Sequence, residues 1–285
     1  ADTVRLTERR ASMKQIREDE LPDDLEPFDA VLFNTPSTLI VIDRANGKVY
    51  RRTELGFTAS TAGATDGRRF FAGAPSGLVH AVELQSGVHL WRTHSKRFVT
   101  AAPVVYSEKL STGSHDRVFR TYLIDRQPKK DWSRPLGAAI TTDFHVGKTG
   151  CFVPCRDGSL YAFQPDTGAR FWEEPFVCGG ALESPVQVGE QTVFQYAEDD
   201  GLYAIDLVKG TKRWKMPRGR SIVAVQDGKV CVAAGPELLV VDEVLGTVDG
   251  RMSLRGYHFA ARNIETPGVY LANRQGLVVC LRESD

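Results

Sequence analysis

A repeat of about 40 residues constrains the fold of this chain more than any other feature of its 285 residues. In four segments that align without gaps, a glycine follows six residues after an apolar residue, which we call the anchor. The four anchors are Val41, Ala81, Ala162 and Ala204. A fixed period along most of a chain predicts one array of similar units rather than several unrelated domains.

Three weaker copies of the unit occupy the remaining sequence. Their anchors are Tyr122, which lies ten residues before a tryptophan, Val240, which lies six residues before a glycine, and Val279. The seven anchors are separated by 40, 41, 40, 42, 36 and 39 residues. The spacing is too regular to arise by chance, and it indicates seven copies.

Each copy has the pattern of short β-strands. In the fifth copy, four strand-like runs (184–188, 192–196, 202–205 and 211–214) are separated by turns that contain glycine or aspartate. Four short antiparallel strands per period of about 40 residues are typical of a propeller blade. The sequence therefore predicts an all-β fold over residues 27–285, a seven-bladed β-propeller of four-stranded antiparallel blades.

The N-terminal residues 1–26 differ from the repeats. Residues 7–21 are charged, contain no glycine and carry a sparse apolar set, which predicts a short amphipathic helix. The seventh copy supplies only three strands before residue 285. We expect residues 2–7 to pair antiparallel with residues 277–281 as its fourth strand and so to close the ring. The alternative is a frayed N-terminus that leaves an open edge.

A tryptophan recurs at one position of the repeat. It lies ten residues after the anchor in four copies, as Trp91, Trp132, Trp172 and Trp214. In the first copy Arg51 holds this position, and in the sixth copy Gly250 does. We expect the four tryptophans to occupy equivalent, largely buried sites.

The order of small residue, acidic residue, Thr/Ser-Gly and tryptophan resembles the docking motif of pyrroloquinoline-quinone (PQQ)-type propellers. The resemblance covers about residues 30–282. It implies that each tryptophan wedges between neighbouring blades, and that the junctions at Arg51 and Gly250 are less well held. The WD40 repeat is the rival family, but no Trp-Asp pair closes a copy here.

The resemblance leaves several functions open, because the family includes PQQ-dependent dehydrogenases, non-enzymatic BamB-like scaffolds and cofactor-free sensors. The dehydrogenases resemble longer, eight-bladed propellers that stack the quinone against a vicinal disulfide and bind Ca²⁺. This chain has no Cys-Cys dipeptide among its five cysteines and no long insertion between copies. We therefore expect no enzymatic activity, no cofactor and no metal site.

A polar column is predicted along the central channel, because the first strand of each blade lines the axis of a propeller. Positions 21 and 19 residues before the anchors are small or polar, with a few charges. The residues that could form a ligand or partner site there are Ser60, Thr141, Asp143, Glu183, Arg220 and His258. A water-filled channel is the simpler interpretation, and a site at the channel mouth is the functional one.

The charge balance disfavours nucleic acid as a partner. Lys and Arg total 36, as do Asp and Glu, so the basic surplus of a nucleic-acid binder is missing. Local basic stretches occur at 126–130 and 212–220, and we interpret both as solvated turns. No apolar run approaches the roughly 18 residues of a membrane-spanning helix.

These observations favour a non-catalytic propeller scaffold for protein–protein interaction. The BamB-like resemblance implies a periplasmic or otherwise extracytoplasmic location, with a membrane-associated complex as one setting, and a cytoplasmic location is the alternative. A sensor or small-ligand-binding propeller is a second functional hypothesis. A PQQ-dependent dehydrogenase is a third, and it is disfavoured.

Overall fold

The computed structural model describes residues 30–124, 127–257, 259–261 and 269–281. All regular secondary structure within these ranges is β-strand, and they contain no helix. The predicted all-β fold is therefore confirmed for this part of the chain. The strand and helix predicted for residues 1–26 lie outside the described residues.

The chain divides into two compact units, Ala1–Gly147 and Lys148–Asp285. The strands of the first unit are β1 (Ala30–Asn34), β2 (Thr38–Asp43), β3 (Val49–Glu54), β4 (Ala64–Thr65), β5 (Arg69–Gly73), β6 (Leu78–Glu83), β7 (His89–His94), β8 (Val104–Tyr106), β9 (Lys109–Thr112), β10 (Val118–Ile124), β11 (Pro128–Pro135) and β12 (His145–Gly147).

The strands of the second unit complete the sequence of elements. They are β13 (Gly150–Pro154), β14 (Ser159–Phe163), β15 (Phe176–Val177), β16 (Gln187–Val188), β17 (Thr192–Ala197), β18 (Gly201–Asp206), β19 (Lys212–Met216), β20 (Ser221–Gln226), β21 (Lys229–Ala234), β22 (Glu237–Asp242), β23 (Val248–Ser253), β24 (Phe259–Ala261), β25 (Val269–Ala272) and β26 (Val278–Leu281).

The described strands form seven antiparallel sheets, each built from strands that are consecutive in the chain. The first sheet is β1–β3, five four-stranded sheets follow from β4 to β23, and the seventh is β24–β26. Each of the seven predicted anchors lies in a different sheet. The four-stranded antiparallel units that the repeat predicted are thus present.

The anchor is the residue that pairs, on the neighbouring strand, with the tryptophan position of the repeat. Ala81 pairs with Trp91 and Ala204 pairs with Trp214, and in both cases a β-bulge follows the anchor. Directly opposed residues share one face of a sheet, so a small anchor leaves room for the indole ring. The larger Val41 is tolerated where its partner is Arg51 rather than tryptophan.

The third copy corrects one prediction, because its structural anchor is Thr121 and not Tyr122. Thr121 pairs with Trp132, and the bulge follows Thr121. Beyond the bulge, Tyr122 pairs with Lys130, eight residues away, whereas Val82 of the second sheet pairs with a residue seven positions on. The turn of the third copy is one residue longer, so counting back ten residues from the tryptophan fails.

The acidic position of the repeat caps the turn before the fourth strand. The carboxylate of Asp206 accepts hydrogen bonds from the backbone N–H groups of Val208 and Lys209, at 3.0 and 2.8 Å. These bonds, that of Lys209 first, hold the pKa of Asp206 below its ordinary value. The backbone N–H of Gly210 closes the turn on the carbonyl of Asp206 at 3.0 Å.

The hydrophobic core is divided among pairs of neighbouring sheets. In the first unit, Leu39 of the first sheet packs with Phe70 of the second. In the second unit, Leu160 of the fourth sheet packs with Ile205 of the fifth. The fifth and sixth sheets share a further cluster around Phe194. These pairs of sheets are therefore stabilised by burying apolar side chains against each other.

The first and last sheets each have three strands among the described residues. Because β2 carries its anchor as β6 does, the first sheet has no described counterpart of β4, the first strand of a complete sheet. In the seventh sheet, β24–β26 correspond to the first three strands, as predicted for residues 257–281. The pairing predicted between residues 2–7 and β26 lies outside the described residues and stays a prediction.

Candidate functional site

Two of the repeat tryptophans connect one sheet to the next through the indole N–H. Trp172 donates a hydrogen bond to the carbonyl of Leu207 at 2.9 Å. Trp214 makes the equivalent bond to the carbonyl of Glu243 at 3.0 Å. Each acceptor directly follows the third strand of the next sheet, so the ring joins two neighbouring sheets.

The glycine of the repeat lies against the tryptophan of the preceding sheet. A Cβ built on Gly210 would lie 2.6 Å from the ring of Trp172, and one built on Gly246 would lie 2.6 Å from the ring of Trp214. Both glycines also have a positive φ, 68° and 73°. Glycine is required here for two reasons, backbone conformation and contact with the ring.

A phenylalanine supports each tryptophan within its own sheet. The ring centroids lie 5.6 Å apart for Phe71–Trp91, 5.6 Å for Phe119–Trp132, 5.3 Å for Phe152–Trp172 and 5.8 Å for Phe194–Trp214. These phenylalanine partners were not predicted from the sequence, although in three copies the phenylalanine lies 20 residues before the tryptophan. That spacing was the available signal.

The four tryptophans differ in burial and in polar contacts. Trp91, Trp132 and Trp172 are buried, at 2%, 7% and 3% exposure, whereas Trp214 is half-buried. The indole N–H of Trp91 has no acceptor among the described residues. The indole hydrogen bond is therefore not needed for a tryptophan to be buried at this position.

At the first junction, Arg51 replaces the tryptophan with a polar contact. Its Nη1 donates to the carbonyl of Ser86 at 2.9 Å, in the turn where the other copies accept the indole N–H. A Cβ on Gly87 would lie 3.5 Å from the same nitrogen. The guanidinium thus also reaches the next sheet, but its acceptor lies two residues beyond the position equivalent to Leu207. The bond is exposed to solvent, where hydrogen bonds of this kind contribute less.

In the first unit, three of the residues predicted to line the channel cross-link successive sheets. The Ser60 hydroxyl lies 3.2 Å from the carbonyl oxygen of Gly73 and 2.5 Å from that of Val99, and it donates its one proton to either of them. The hydroxyl of the adjacent Thr100 donates to the carbonyl of Thr141 at 3.1 Å. The Asp143 carboxylate accepts the N–H of Ala102 at 2.7 Å. Residues 99–102 therefore connect all three predicted positions.

In the second unit, the predicted residues are charged and lie apart from one another. Glu183 forms an ion pair with Arg156 at 2.7 Å, with both side chains about half exposed. The Nη1 of Arg220 lies 3.3 Å from the hydroxyl of Tyr196, and its guanidinium lies 5.7 Å from the centre of that ring. No hydrogen bond or ion pair joins Glu183 to Arg220 in the described ranges. The sixth predicted residue, His258, lies outside them.

A histidine pair, of which His80 is buried and His89 is half-buried, is a polar feature that was not predicted from the sequence. His80 Nδ1 and His89 Nε2 lie 2.8 Å apart, and the ring of Phe57 stacks on His80 at 3.8 Å. Burial, with help from His89 and Arg92, lowers the pKa of His80 to about 4. No group of three or more metal-ligating side chains occurs within the described ranges, so the pair has no further ligand there.

Arg220, one of the predicted residues, lines a recess on the surface of the second unit. Two adjoining recesses lie between the fifth and sixth sheets, with volumes of about 290 and 370 Å³. They share Pro217 and Arg218, and we call them together the arginine groove. One end carries Tyr196 and Arg220. The other end is lined mainly by apolar side chains, including Met216, Leu239 and Val248.

Comparison with known proteins gives a family and a fold. The family model described as outer membrane protein assembly factor BamB matches residues 36–133 and 122–256. No curated protein sequence matches the chain. The described residues contain no helix that is long and apolar enough to span a membrane.

Three solved structures share the fold at low sequence identity. BamB from Moraxella catarrhalis is 12% identical, with a TM-score of 0.54, over 91% of this chain and 100% of that chain. The computationally designed Ika8 protein is 12% identical, with a TM-score of 0.56, over 91% and 94%. The RRP9 WD40 repeats are 15% identical, with a TM-score of 0.63, over 87% and 86%.

Proposed function

The chain belongs to the PQQ-like repeat family whose model is described as outer membrane protein assembly factor BamB, and we propose that it is a non-catalytic propeller scaffold for protein–protein interaction. The observation that carries the proposal is the use of its repeat residues. Its four tryptophans occupy one docking position, where Trp172 and Trp214 hold neighbouring sheets together through the indole N–H. These residues support a rigid frame rather than a reaction.

We further propose that the seven sheets are the seven blades of a closed propeller. Each anchor belongs to its own sheet, and the core is divided between neighbouring sheets. Among the described residues, the first sheet has no counterpart of the first strand of a complete sheet, and the last sheet has no counterpart of the fourth strand. A ring that is closed by the N-terminal segment would complete the last sheet and remove its open edge.

The polar groups predicted for the channel support a structural role. In the first unit, the Ser60 hydroxyl, the backbone carbonyl of Thr141 and the Asp143 carboxylate each bond to the segment 99–102. Catalytic side chains instead need a donor or acceptor directed at a reacting group. We place the protein outside the cytoplasm, in a membrane-associated assembly, by analogy with the described role of its family.

A second candidate function is the binding of a small ligand. The arginine groove favours it, because two arginines and a tyrosine line a recess of about 290 Å³, close to the lower limit of typical ligand sites. A scaffold and a ligand-binding propeller differ in what remains bound when the protein is isolated from its own cells.

Cross-linking inside cells tests the proposal. A photo-reactive amino acid replaces an exposed residue on a turn of each sheet in turn, for example Lys209 or Arg274. We expect a small number of discrete cross-linked proteins, from positions that cluster on one region of the surface. If every position gives only the uncross-linked chain, the scaffold proposal is wrong.

A further inference from the structure

We propose that the arginine groove binds an extended segment of a partner protein. This segment carries an acidic side chain and a large apolar side chain two residues apart, on the same face. The inference rests on the proposed scaffold function and deepens it by naming the surface and the chemistry of its partner. The groove lies entirely within the second unit, between β19 on one side and β22 and β23 on the other.

The positive charge of the groove is only partly neutralised by the protein itself. Residues 212–220 contain five cations and no acidic residue, although the whole chain has no net charge. Arg213 pairs with Asp206 at 2.9 Å, and Lys215 pairs with Asp200. Arg218 and Arg220 have no carboxylate partner within the described ranges, and both are exposed. They are therefore available to an acidic partner.

Two carboxylates of the protein also line the groove. Asp199 lies at the Arg220 end, and Glu237 lies at the apolar end together with Arg251. Three arginines therefore face two carboxylates, which leaves one positive charge. The groove attracts an acidic side chain near Arg218 and Arg220 without being uniformly basic, which favours a short acidic motif over a polyanion.

Arg220 is held ready for a ligand by Tyr196. The guanidinium lies 5.7 Å from the centre of the tyrosine ring, and its Nη1 bonds to the tyrosine hydroxyl at 3.3 Å. A cation–π contact restricts the arginine and leaves its remaining N–H groups for a carboxylate, which guanidinium binds in a bidentate manner. The ordering cost of binding is reduced because the side chain is already positioned.

The second recess explains why the bound segment needs a large apolar side chain. Met216, Leu239 and Val248 line it, and Val248 is 40% exposed. The two recesses adjoin through Pro217 and Arg218, and side chains two residues apart on one face of an extended peptide are about 7 Å apart. An acidic and an apolar side chain at that spacing can occupy both recesses. A free phosphate or a nucleic-acid backbone would leave the apolar recess unused.

Selection from a phage library of random peptides of about nine residues tests the inference directly. The intact protein is the bait, and the variant Arg218→Glu/Arg220→Glu is the counter-bait. We expect the selected peptides to combine Asp or Glu with a large apolar residue two positions away. A library that gives no binders, or binders without an acidic residue, overturns the inference.

Fluorescence polarisation with the selected peptide then tests the groove. We expect the double variant to weaken binding by at least about tenfold, since two charge-assisted contacts become repulsive. Met216→Ser should weaken binding without changing its dependence on salt, and Arg218→Lys/Arg220→Lys should retain part of the affinity. The matched control Lys209→Glu/Arg274→Glu makes the same change in net charge at exposed turns and should bind as the wild type does.

Cross-linking inside cells separates this inference from the proposed function. If the wild type is cross-linked to a partner and the Arg218→Glu/Arg220→Glu variant gives the same product at the same yield, the groove is not the docking surface, although the scaffold function stands. If the wild type gives no cross-linked partner, the proposed scaffold function is wrong, and the inference that rests on it is wrong too. Loss of the product in the double variant but not in its matched control supports the inference.

Discussion

At the scale of single residues, the contact between a tryptophan and the glycine of the next sheet explains two positions of the repeat together. The ring of Trp172 needs a neighbour without a side chain at position 210, and the backbone at position 210 needs a residue that tolerates a positive φ. The two requirements fall on one contact, so the positions should be energetically coupled.

We predict that Trp172→Ala destabilises the protein by roughly 3–5 kcal/mol, because a large buried ring is lost and a cavity remains. Gly210→Ala should also destabilise it, but Trp172→Ala/Gly210→Ala should cost less than the sum, because the truncation removes the ring that the new Cβ would strike. Urea unfolding of the four proteins measures the coupling. Strictly additive costs would show that the two residues do not depend on each other.

The histidine pair should make stability depend on pH. Burial lowers the pKa of His80 from 6.5 to about 4 and lowers that of His89 in the same direction. The unfolded chain therefore takes up protons below 6.5 that the folded chain does not, so stability is full above 6.5 and falls as the pH drops towards 4.

We expect urea midpoints measured at about pH 7.5 and about pH 5 to differ more for the wild type than for His80→Gln. Other groups titrate in this range, so the difference between the two proteins is the informative quantity. The exposed His94→Gln should behave as the wild type does. Equal pH dependence in wild type and His80→Gln would show that the buried pair does not control it.

At the scale of elements, the sequence predicted the strands well because the repeat supplies seven examples of one unit. The failure at Tyr122 has a local cause, a turn one residue longer than its counterpart, which a fixed count from Trp132 cannot detect. The partners of the site residues were harder to predict. Gln187 bonds to both backbone groups of Ile222, 35 residues away, and nothing in a single strand indicates such a partner.

The candidate site was predicted only in part for the same reason. Ser60, Thr141 and Asp143 were predicted to belong to a polar column, whereas the segment 99–102, to which all three bond, was not predicted. Arg220 was selected as a channel residue, whereas its place in a groove depends on Pro217 and on the strands that follow it. Repeat position predicts which residues are equivalent, but it does not predict which surfaces open between sheets.

The prediction that the N-terminal segment closes the ring concerns the edge strand β26. Val278 is 66% exposed, and β26 has no fourth strand beside it among the described residues. Deletion of residues 1–8 should lower the melting temperature and increase aggregation, because an unpaired edge is a template for association. Deletion of residues 282–285 is the control. A truncated protein that melts and remains dispersed like the full chain would refute closure by the N-terminal segment.

At the scale of the whole molecule, the separate observations favour a frame that presents surfaces. Tryptophans, glycines and capped turns recur at several contacts between neighbouring sheets. Two arginines without a carboxylate partner among the described residues line one groove between the fifth and sixth sheets. Here the groove combines cations with apolar side chains, which suits recognition of a protein segment.

Native mass spectrometry of the full chain, purified gently from its own cells, tests the scaffold function most directly. The expected spectrum shows the chain in a complex with at least one further polypeptide and with no small molecule retained. A chain that emerges alone with a bound quinone, or with any other small ligand in stoichiometric amount, would mean that it is an enzyme or a ligand-binding propeller instead.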